Sequence, residues 1–298
     1  MNPSQVLVVG VSSRALFDME EANGVFETEG VEAYARYQMQ HQDDILAPGA
    51  GFPLIRSLLN LNKKAGKKKA EVVIMSRNDP ATSLRMFESI KHYGLDIGRA
   101  ALAGGASLAP YLRAFEVNLF LSGLEGDVVE SLHAGFAAGL ILGTPKDPLE
   151  SIDPIRIAFD ADAVLFSDAA ERIYREQGLE AFLKHETENA RQPLPDGPFA
   201  ALLRTLSILQ SDAAFSERPV RLAVVTARNL PAHERVIRTL LAWNVHVDEA
   251  FFMGGAPKTR VLEAFRPHIY FDDQDEHLQA AKSVVPTAKV FVSDRRPT

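Results

Sequence analysis

Apolar residues along this chain gather in short runs, and each run ends in a polar or turn-forming residue. Val6 to Val11, Glu71 to Met75, Val117 to Leu121, Ile155 to Phe159, Arg221 to Val225 and His268 to Phe271 have the length and composition of buried strands. Helical segments separate them. In the second half one is predicted near Leu179 to Glu188 and another from Phe199 to Gln210, with a Pro/Gly break at Pro193 to Pro198. Asp168 and Glu171 ahead of them have the spacing of a capping box. Strands alternating with helices predict the α/β class, with a parallel sheet covered on both faces.

The same plan occurs twice. Gly104-Gly105-Ala106 recurs as Gly254-Gly255-Ala256, an offset of 150, and Leu112 to Phe115 matches Leu262 to Phe265 at that offset. Ser76 to Pro80 resembles Ala227 to Pro231 at offset 151, and Gly30 to Tyr34 resembles Gly178 to Phe182 at offset 148. Leu54 to Leu58 matches Leu202 to Leu206 at the same 148. A nearly constant offset over so many segments marks an internal repeat. It divides the chain into residues 1–145 and 146–298, with the Pro-bearing stretch Thr144 to Pro154 as linker.

Candidate chemistry sits at the strand ends of the second copy. Asp160 and Asp162 follow Phe159, at the sheet edge where ligands of open α/β folds bind. Paired carboxylates there repel each other unless a cation or a shared proton intervenes. Thr226, Ala227 and Arg228 end the next strand. Lys258 follows a Gly-Gly-Ala-Pro turn, and a lysine opening a helix opposes the helix dipole, so it calls for an anionic partner. Asp272 and Asp273 end the last strand and call for a cation. The first copy has Gly10 to Ala15 in place of Phe159 to Val164, Leu108 in place of Lys258, and Ser122-Gly123 in place of Asp272-Asp273. It cannot run the same reaction and is left as a scaffold, a lid or a ligand-binding face.

The order Asp-x-Asp, Thr, Lys, Asp-Asp resembles the haloacid dehalogenase (HAD) superfamily of phosphohydrolases. Further segments resemble the cytosolic 5'-nucleotidase I family: VSSRALF at 11–17, GVEAYARYQ at 30–38, FDADAVLFSD at 159–168, VVTARN at 224–229, GAPK at 255–258 and RPHIYFDDQ at 266–274. The resemblance implies a duplicated Rossmann-like (HAD-like) fold with a helical cap inserted at about 168–218. It implies Mg²⁺-dependent hydrolysis of nucleoside 5'-monophosphates, AMP first, through an aspartyl-phosphate. Asp160 would be the nucleophile and Asp162 the acid and base. Asp160, the backbone carbonyl of Asp162 and Asp272 would hold Mg²⁺, with Asp273 one layer out or bound through water. Thr226 would bond a phosphoryl oxygen through its hydroxyl and the nearby amide at Ala227, and Lys258 would neutralise phosphoryl charge and orient Asp160.

Other assignments stay open. Arg228 reaches the phosphate, the ribose or a surface salt-bridge partner. Phe182, Phe199 and His185 either stack on a base or belong to the core; the other histidines read as structural or surface groups. Arg14 and Arg77 in the first copy either recognise a phosphate or pair with acids such as Asp18 and Asp79. The motifs do not encode the leaving group, so a phosphatase of another small phosphoester is an alternative. A nucleotide-sensing protein with a vestigial site is the alternative outside the enzymes.

Composition narrows the classes. The chain has 298 residues, 46% hydrophobic and 24% charged, enough for two domains. A net charge of −7 and a pI near 5.7 argue against a DNA or RNA polymer as partner and favour free nucleotides. The cluster Lys63, Lys64, Lys67, Lys68, Lys69 reads as a solvated loop. With no cysteine there is neither a disulfide framework nor a thiolate metal site, which fits a cytoplasmic location. The first residues lack the basic start and apolar core of a signal peptide, and Ala134 to Leu142 is too short to span a membrane. A nucleotide effector and a homo-oligomer are left open.

Overall fold

The structure, a computed structural model, describes residues 6–143 and 153–292. The linker expected at 144–154 lies outside the described residues except for Asp153 and Pro154. The first half runs β1 (Leu7–Val11), α1 (Ser13–Leu16), α2 (Glu20–Glu29), α3 (Val31–Gln40), α4 (Phe52–Ala65), β2 (Ala70–Ser76), α5 (Leu84–His92), β3 (Arg99–Leu102), α6 (Ala109–Ala114), β4 (Leu119–Ser122), α7 (Glu125–His133) and β5 (Ala137–Leu142). The second half repeats the strand order with two helices, not four, between its first two strands: β6 (Ile155–Phe159), α8 (Ala169–Glu188), α9 (Ala200–Gln210), β7 (Val220–Thr226), α10 (His233–Ala242), β8 (Glu249–Phe252), α11 (Thr259–Phe265), β9 (Ile269–Asp272), α12 (Asp275–Ala281) and β10 (Thr287–Lys289).

All ten strands form one sheet, in the order β3-β2-β1-β4-β5-β10-β9-β6-β7-β8. Each half, read from its outer edge inward, places its third, second, first, fourth and fifth strands in turn. Every neighbouring pair is parallel except β5 and β10, which meet antiparallel with Ala288 opposite Ile141. The strands of one half therefore run against those of the other, and the two sets of carboxyl ends lie on opposite edges of the sheet. That geometry rules out the first copy's strand ends as a lid over the second's.

The repeat extends to individual hydrogen bonds. Leu46 N–H donates to Ser89 Oγ at 2.9 Å, and Leu194 N–H to Thr239 Oγ1 at 2.9 Å. Arg85 Nε donates to Asp44 O at 3.0 Å, and Arg235 Nε to Gln192 O at 2.9 Å. One apolar cluster spans both halves, from Leu7 to Val290. At the seam Gly139 lets the Phe271 ring and Ala288 approach; a Cβ there would meet each at 3.0 Å. Phe159, Phe199 and Phe271 stack beneath the second half's strand ends, with ring centroids 4.7 to 6.2 Å apart.

Three local expectations change. The insert after β6 is only partly a cap: Phe199 and the buried Leu202, Leu203, Leu206 and Leu209 make α9 part of the core, which leaves α8 to cover the strand ends. α8 bends at Gly178 (φ 82°), where the helix was expected to begin, and the capping box does not form. The Asp168 side chain accepts no backbone N–H and faces Arg172 at 3.5 Å, while Glu171 pairs with Arg175. The lysine cluster is not a solvated loop throughout. Lys63 and Lys64 close α4, and Lys69 is buried against Asp212 of the other half.

Candidate active site

Two strand ends and a helix start of the second half converge on one buried cluster. Asp160 follows β6, where its N–H donates to Phe271 O at 2.8 Å, so β9 sets its position. Lys258 stands at the start of α11 and its Nζ donates to Asp160 Oδ1 and to Asp272 Oδ2, both at 2.8 Å. These are the anionic partners its place at a helix start required. Asp272 also accepts from the Tyr270 hydroxyl, from Gln274 N–H at 2.8 Å, and lies 3.2 Å from His277 Nδ1. Asp160, Asp272 and Lys258 are each under 5% exposed. Asp273 completes the group: Asp160, Asp272 and Asp273 each offer an oxygen within 4.8 Å of the others.

The charges are not balanced by protein alone. Burial pushes Asp160 above the usual carboxylate range; Lys258 opposes this, and Asp272 and Asp162 reinforce it. Burial also pushes Asp273 up to about 8, helped by Asp160, Glu171 and Asp272. Asp272 goes the other way, because the His277 and Lys258 contacts outweigh its burial. Lys258 is raised, since Asp160 and Asp272 together outweigh its burial. One buried Asp273 oxygen, Oδ1, has no hydrogen-bond partner. Three close carboxylates with an unpartnered oxygen fit a hard divalent cation with oxygen ligands.

Asp162 and Arg228 belong to a second arrangement beside the first. The turn after β6, Ala161–Leu165, puts Ala163 at φ 61°, a left-handed conformation that costs an L-residue energy and clusters at functional sites. Arg228 Nε and Nη2 donate to the two oxygens of Asp162 at 2.7 and 2.6 Å, and its Nη1 donates to Glu186 of α8. Glu186 in turn accepts from Arg235 Nη1 at 2.7 Å. The guanidinium of Arg228 lies 5.3 Å from the centroid of the Phe182 ring. Arg228 is 4% exposed and Glu186 1%. Of the partners open to Arg228, the structure shows a salt bridge, buried and not at the surface. The carboxylate of Asp162 is outside the cation cluster.

A cavity of about 750 Å³ lies over these groups, and every described residue lining it comes from the second half. Asp160, Asp162, Thr226, Ala227, Arg228 and Asp273 form its floor, and Glu171, Tyr174, Leu179 and Phe182 of α8 its roof. Thr226 is buried, and its Oγ1 accepts from Arg228 N–H at 3.2 Å. Lys258 does not line the cavity; it stands behind Asp160. Of the aromatic candidates, Phe182 faces the cavity beside Tyr174, Phe199 is core, and His185 lies near Arg235 at the back of Glu186. Sequence reasoning missed Tyr174, Glu186 and His277. His277 is the exception among the histidines read as structural or surface groups, and its place in the first turn of α12, five residues after the Asp272 it meets, was the available signal.

Comparison with known proteins follows this geometry. The family model described as 5'-nucleotidase matches residues 1–296. The chain belongs to the 5'-nucleotidase family. Within the family it is similar to human (Homo sapiens) cytosolic 5'-nucleotidase 1B, 35% identical over 291 residues, which are 94% of this chain and 48% of that protein. The chain thus spans about half the length of the curated relative it matches. A solved histidinol dehydrogenase from Elizabethkingia anophelis aligns at 9% identity with a TM-score of 0.25, over 97% of this chain and 53% of that one, too slight a likeness to bear on the family's fold. Among the described residues no helix is long and apolar enough to cross a membrane.

Proposed function

We propose that the second half, residues 146–298, hydrolyses nucleoside 5'-monophosphates to nucleoside and phosphate, with AMP as first substrate and Mg²⁺ as the ion. The observation that supports this best is Lys258 bridging Asp160 and Asp272 beside the unpartnered oxygen of Asp273, in a member of the 5'-nucleotidase family. The relative's name supports nucleotides as the substrate class and the cytoplasm as the location. The first half, residues 1–145, holds no matching carboxylates and takes no part in the chemical step.

Asp160, Asp272 and Asp273, with the backbone carbonyl of Asp162, would hold Mg²⁺, which when bound neutralises charge on the phosphoryl oxygens. Asp160 forms the bond to phosphorus while the bond from phosphorus to the ester oxygen breaks. Asp162 delivers a proton to that leaving oxygen, then takes one from the water that cleaves the aspartyl-phosphate, so that phosphate leaves and Asp160 is restored. Arg228 donates once to each oxygen of Asp162, which leaves a second lone pair on each oxygen for the proton. Thr226 and the amide at Ala227 line the floor where the phosphoryl oxygens would lie. Lys258 keeps the attacking oxygen of Asp160 in place and lowers the charge around it. Tyr174 and Phe182 offer the base an aromatic wall.

A phosphate-release screen over AMP, IMP, CMP, their deoxy forms and common sugar phosphates, with and without Mg²⁺, tests the proposal. Release from AMP that needs the ion is the expected result. Strong release from sugar phosphates with none from nucleotides would assign the site to another phosphoester.

A further inference from the structure

The strand ends of the first half also enclose a cavity, of about 470 Å³, on the opposite edge of the sheet. The strand register shifts the sequence pairing by one residue. Ser12 N–H donates to Leu121 O as Asp160 N–H does to Phe271 O, so Ser12 takes the place of Asp160 and Arg14 that of Asp162. Ser76 pairs with Leu102 as Thr226 does with Phe252, and Asn78 N–H donates to Ser76 Oγ as Arg228 N–H does to Thr226 Oγ1, so Ser76 replaces Thr226 and Asn78 replaces Arg228. The aromatic wall is kept. Phe26 and Tyr34 meet edge to face at 5.9 Å and 82°, as Tyr174 and Phe182 do at 6.2 Å and 79°. A flat ring could be received in either cavity in the same way.

The charges differ in a consistent direction. In the second half Arg228 is held between Asp162 and Glu186. The counterparts of Arg228 and Glu186 in the first half, Asn78 and Gln38, are neutral: Asn78 Nδ2 donates to the Tyr34 hydroxyl at 3.0 Å and Gln38 Nε2 donates to it at 2.9 Å. The three carboxylates of the cation cluster become Ser12, Ser122 and Gly123. Arg14 therefore stands at the cavity with no hydrogen-bond or ion-pair partner among the described residues. Arg77, also expected to meet a phosphate or a local acid, pairs instead with Asp127 and Glu130. The remaining lining carboxylate, Asp79, accepts from Thr82 N–H at 2.9 Å. The cavity lining thus holds one unpaired guanidinium, the Arg77–Asp127 pair, the Asp79 carboxylate, the hydroxyls of Ser13 and Ser76 and an aromatic pair. A guanidinium suits a phosphate group, and without a carboxylate cluster no metal ion is needed to admit one.

We propose that this cavity is a second ligand site, which binds a nucleoside monophosphate through Arg14 and the Phe26–Tyr34 wall, without a divalent ion and without hydrolysing it. With Ser12 at the position of Asp160, no carboxylate attacks phosphorus, and the ligand leaves unchanged. The site stands on its own geometry and does not depend on catalysis in the second half.

Calorimetric titration of the full chain with AMP in excess EDTA tests it. In EDTA the carboxylates of the second half repel the phosphate, so the expected result is one AMP bound per chain. Arg14→Glu should weaken that binding at least about tenfold, the loss of one charge-assisted contact of about 1.5–3 kcal/mol. Phe26→Ala, at a side chain 46% exposed and so harmless to the fold, should weaken it several-fold, whereas Tyr174→Ala should leave it unchanged. No saturable binding in EDTA overturns the proposal. So does binding that responds to Tyr174→Ala and not to Phe26→Ala, a comparison that decides the matter even if Arg14→Glu does not fold.

Discussion

Glu186 offers the sharpest test of how the cap is held. Its carboxylate is buried and accepts from Arg228 Nη1 and Arg235 Nη1. Glu186→Leu conserves volume but leaves two guanidinium groups facing an apolar side chain. Two hydrogen bonds to charged groups at about 1.5–3 kcal/mol each, or one broken buried ion pair at about 3–5 kcal/mol, give similar losses, so about 3–5 kcal/mol is expected. Arg228 keeps Asp162 and Arg235 keeps Gln192 O, which places the loss within that range and not above it. With an unfolding entropy of about 2.1 cal/mol/K per residue, 298 residues melting as one unit lose about 5–8 °C in Tm. The continuous sheet and the apolar cluster that spans both halves argue for one unit. Glu186→Gln keeps one acceptor and should fall between wild type and Glu186→Leu. Glu188→Ala, at the exposed end of the same helix, serves as control and should not move the transition. Differential scanning calorimetry reads all three. If Glu186→Leu melts within about 1 °C of wild type, the network contributes nothing net, and the cap is held by packing alone.

Other outcomes follow from the same structure. Asp160→Asn should abolish phosphate release, and Lys258→Met should lower kcat by at least about 10²-fold, because both act where charge develops; near-normal turnover in Asp160→Asn would dismiss the covalent route. Asp273→Asn should raise the Mg²⁺ concentration for half-maximal activity by about 10- to 100-fold, and an unchanged Mg²⁺ titration would remove Asp273 from the ion's surroundings. Gly197→Ala would put a Cβ 2.4 Å from Phe166 O and 2.7 Å from Val164 O. That overpacking should cost about 1–3 kcal/mol, or about 2–5 °C in Tm, and a rise in Tm would show that the loop can shift aside.

The strand-end groups were legible because an apolar run that stops abruptly at a carboxylate is a local signal. Asp160, Asp272 and Asp273 announce themselves this way, Thr226 ends a strand in the same manner, and Lys258 stands out by opening a helix. Arg228 did not, since its partner Glu186 sits on a helix crowded with charges, where a buried glutamate looks like a solvated one. Only the folding of α8 back over β7 removes that glutamate from water. Phe199 and Phe182 have similar local settings, yet one is core and the other lines the cavity, because α9 packs under the sheet and α8 over its edge. The α/β class and the duplication followed from periodicity and offsets. The seam did not, because the pairing of β5 with β10 depends on which sheet edges are left free once both halves have folded, and Lys69 gave no local sign that it would be buried against Asp212 of the other half.

The antiparallel seam has a consequence for how the two halves can diverge. Five strands joined to five by an antiparallel pair of equivalent strands have the symmetry of two subunits related by a dyad. In a true homodimer on that axis every substitution would appear twice, so a change that removed the carboxylates from one site would remove them from both. Joining the copies in one polypeptide breaks that constraint. Serines can stand at Ser12 and Ser122 while their symmetry mates stay Asp160 and Asp272, and each end of the molecule can be altered without any change being imposed on the other.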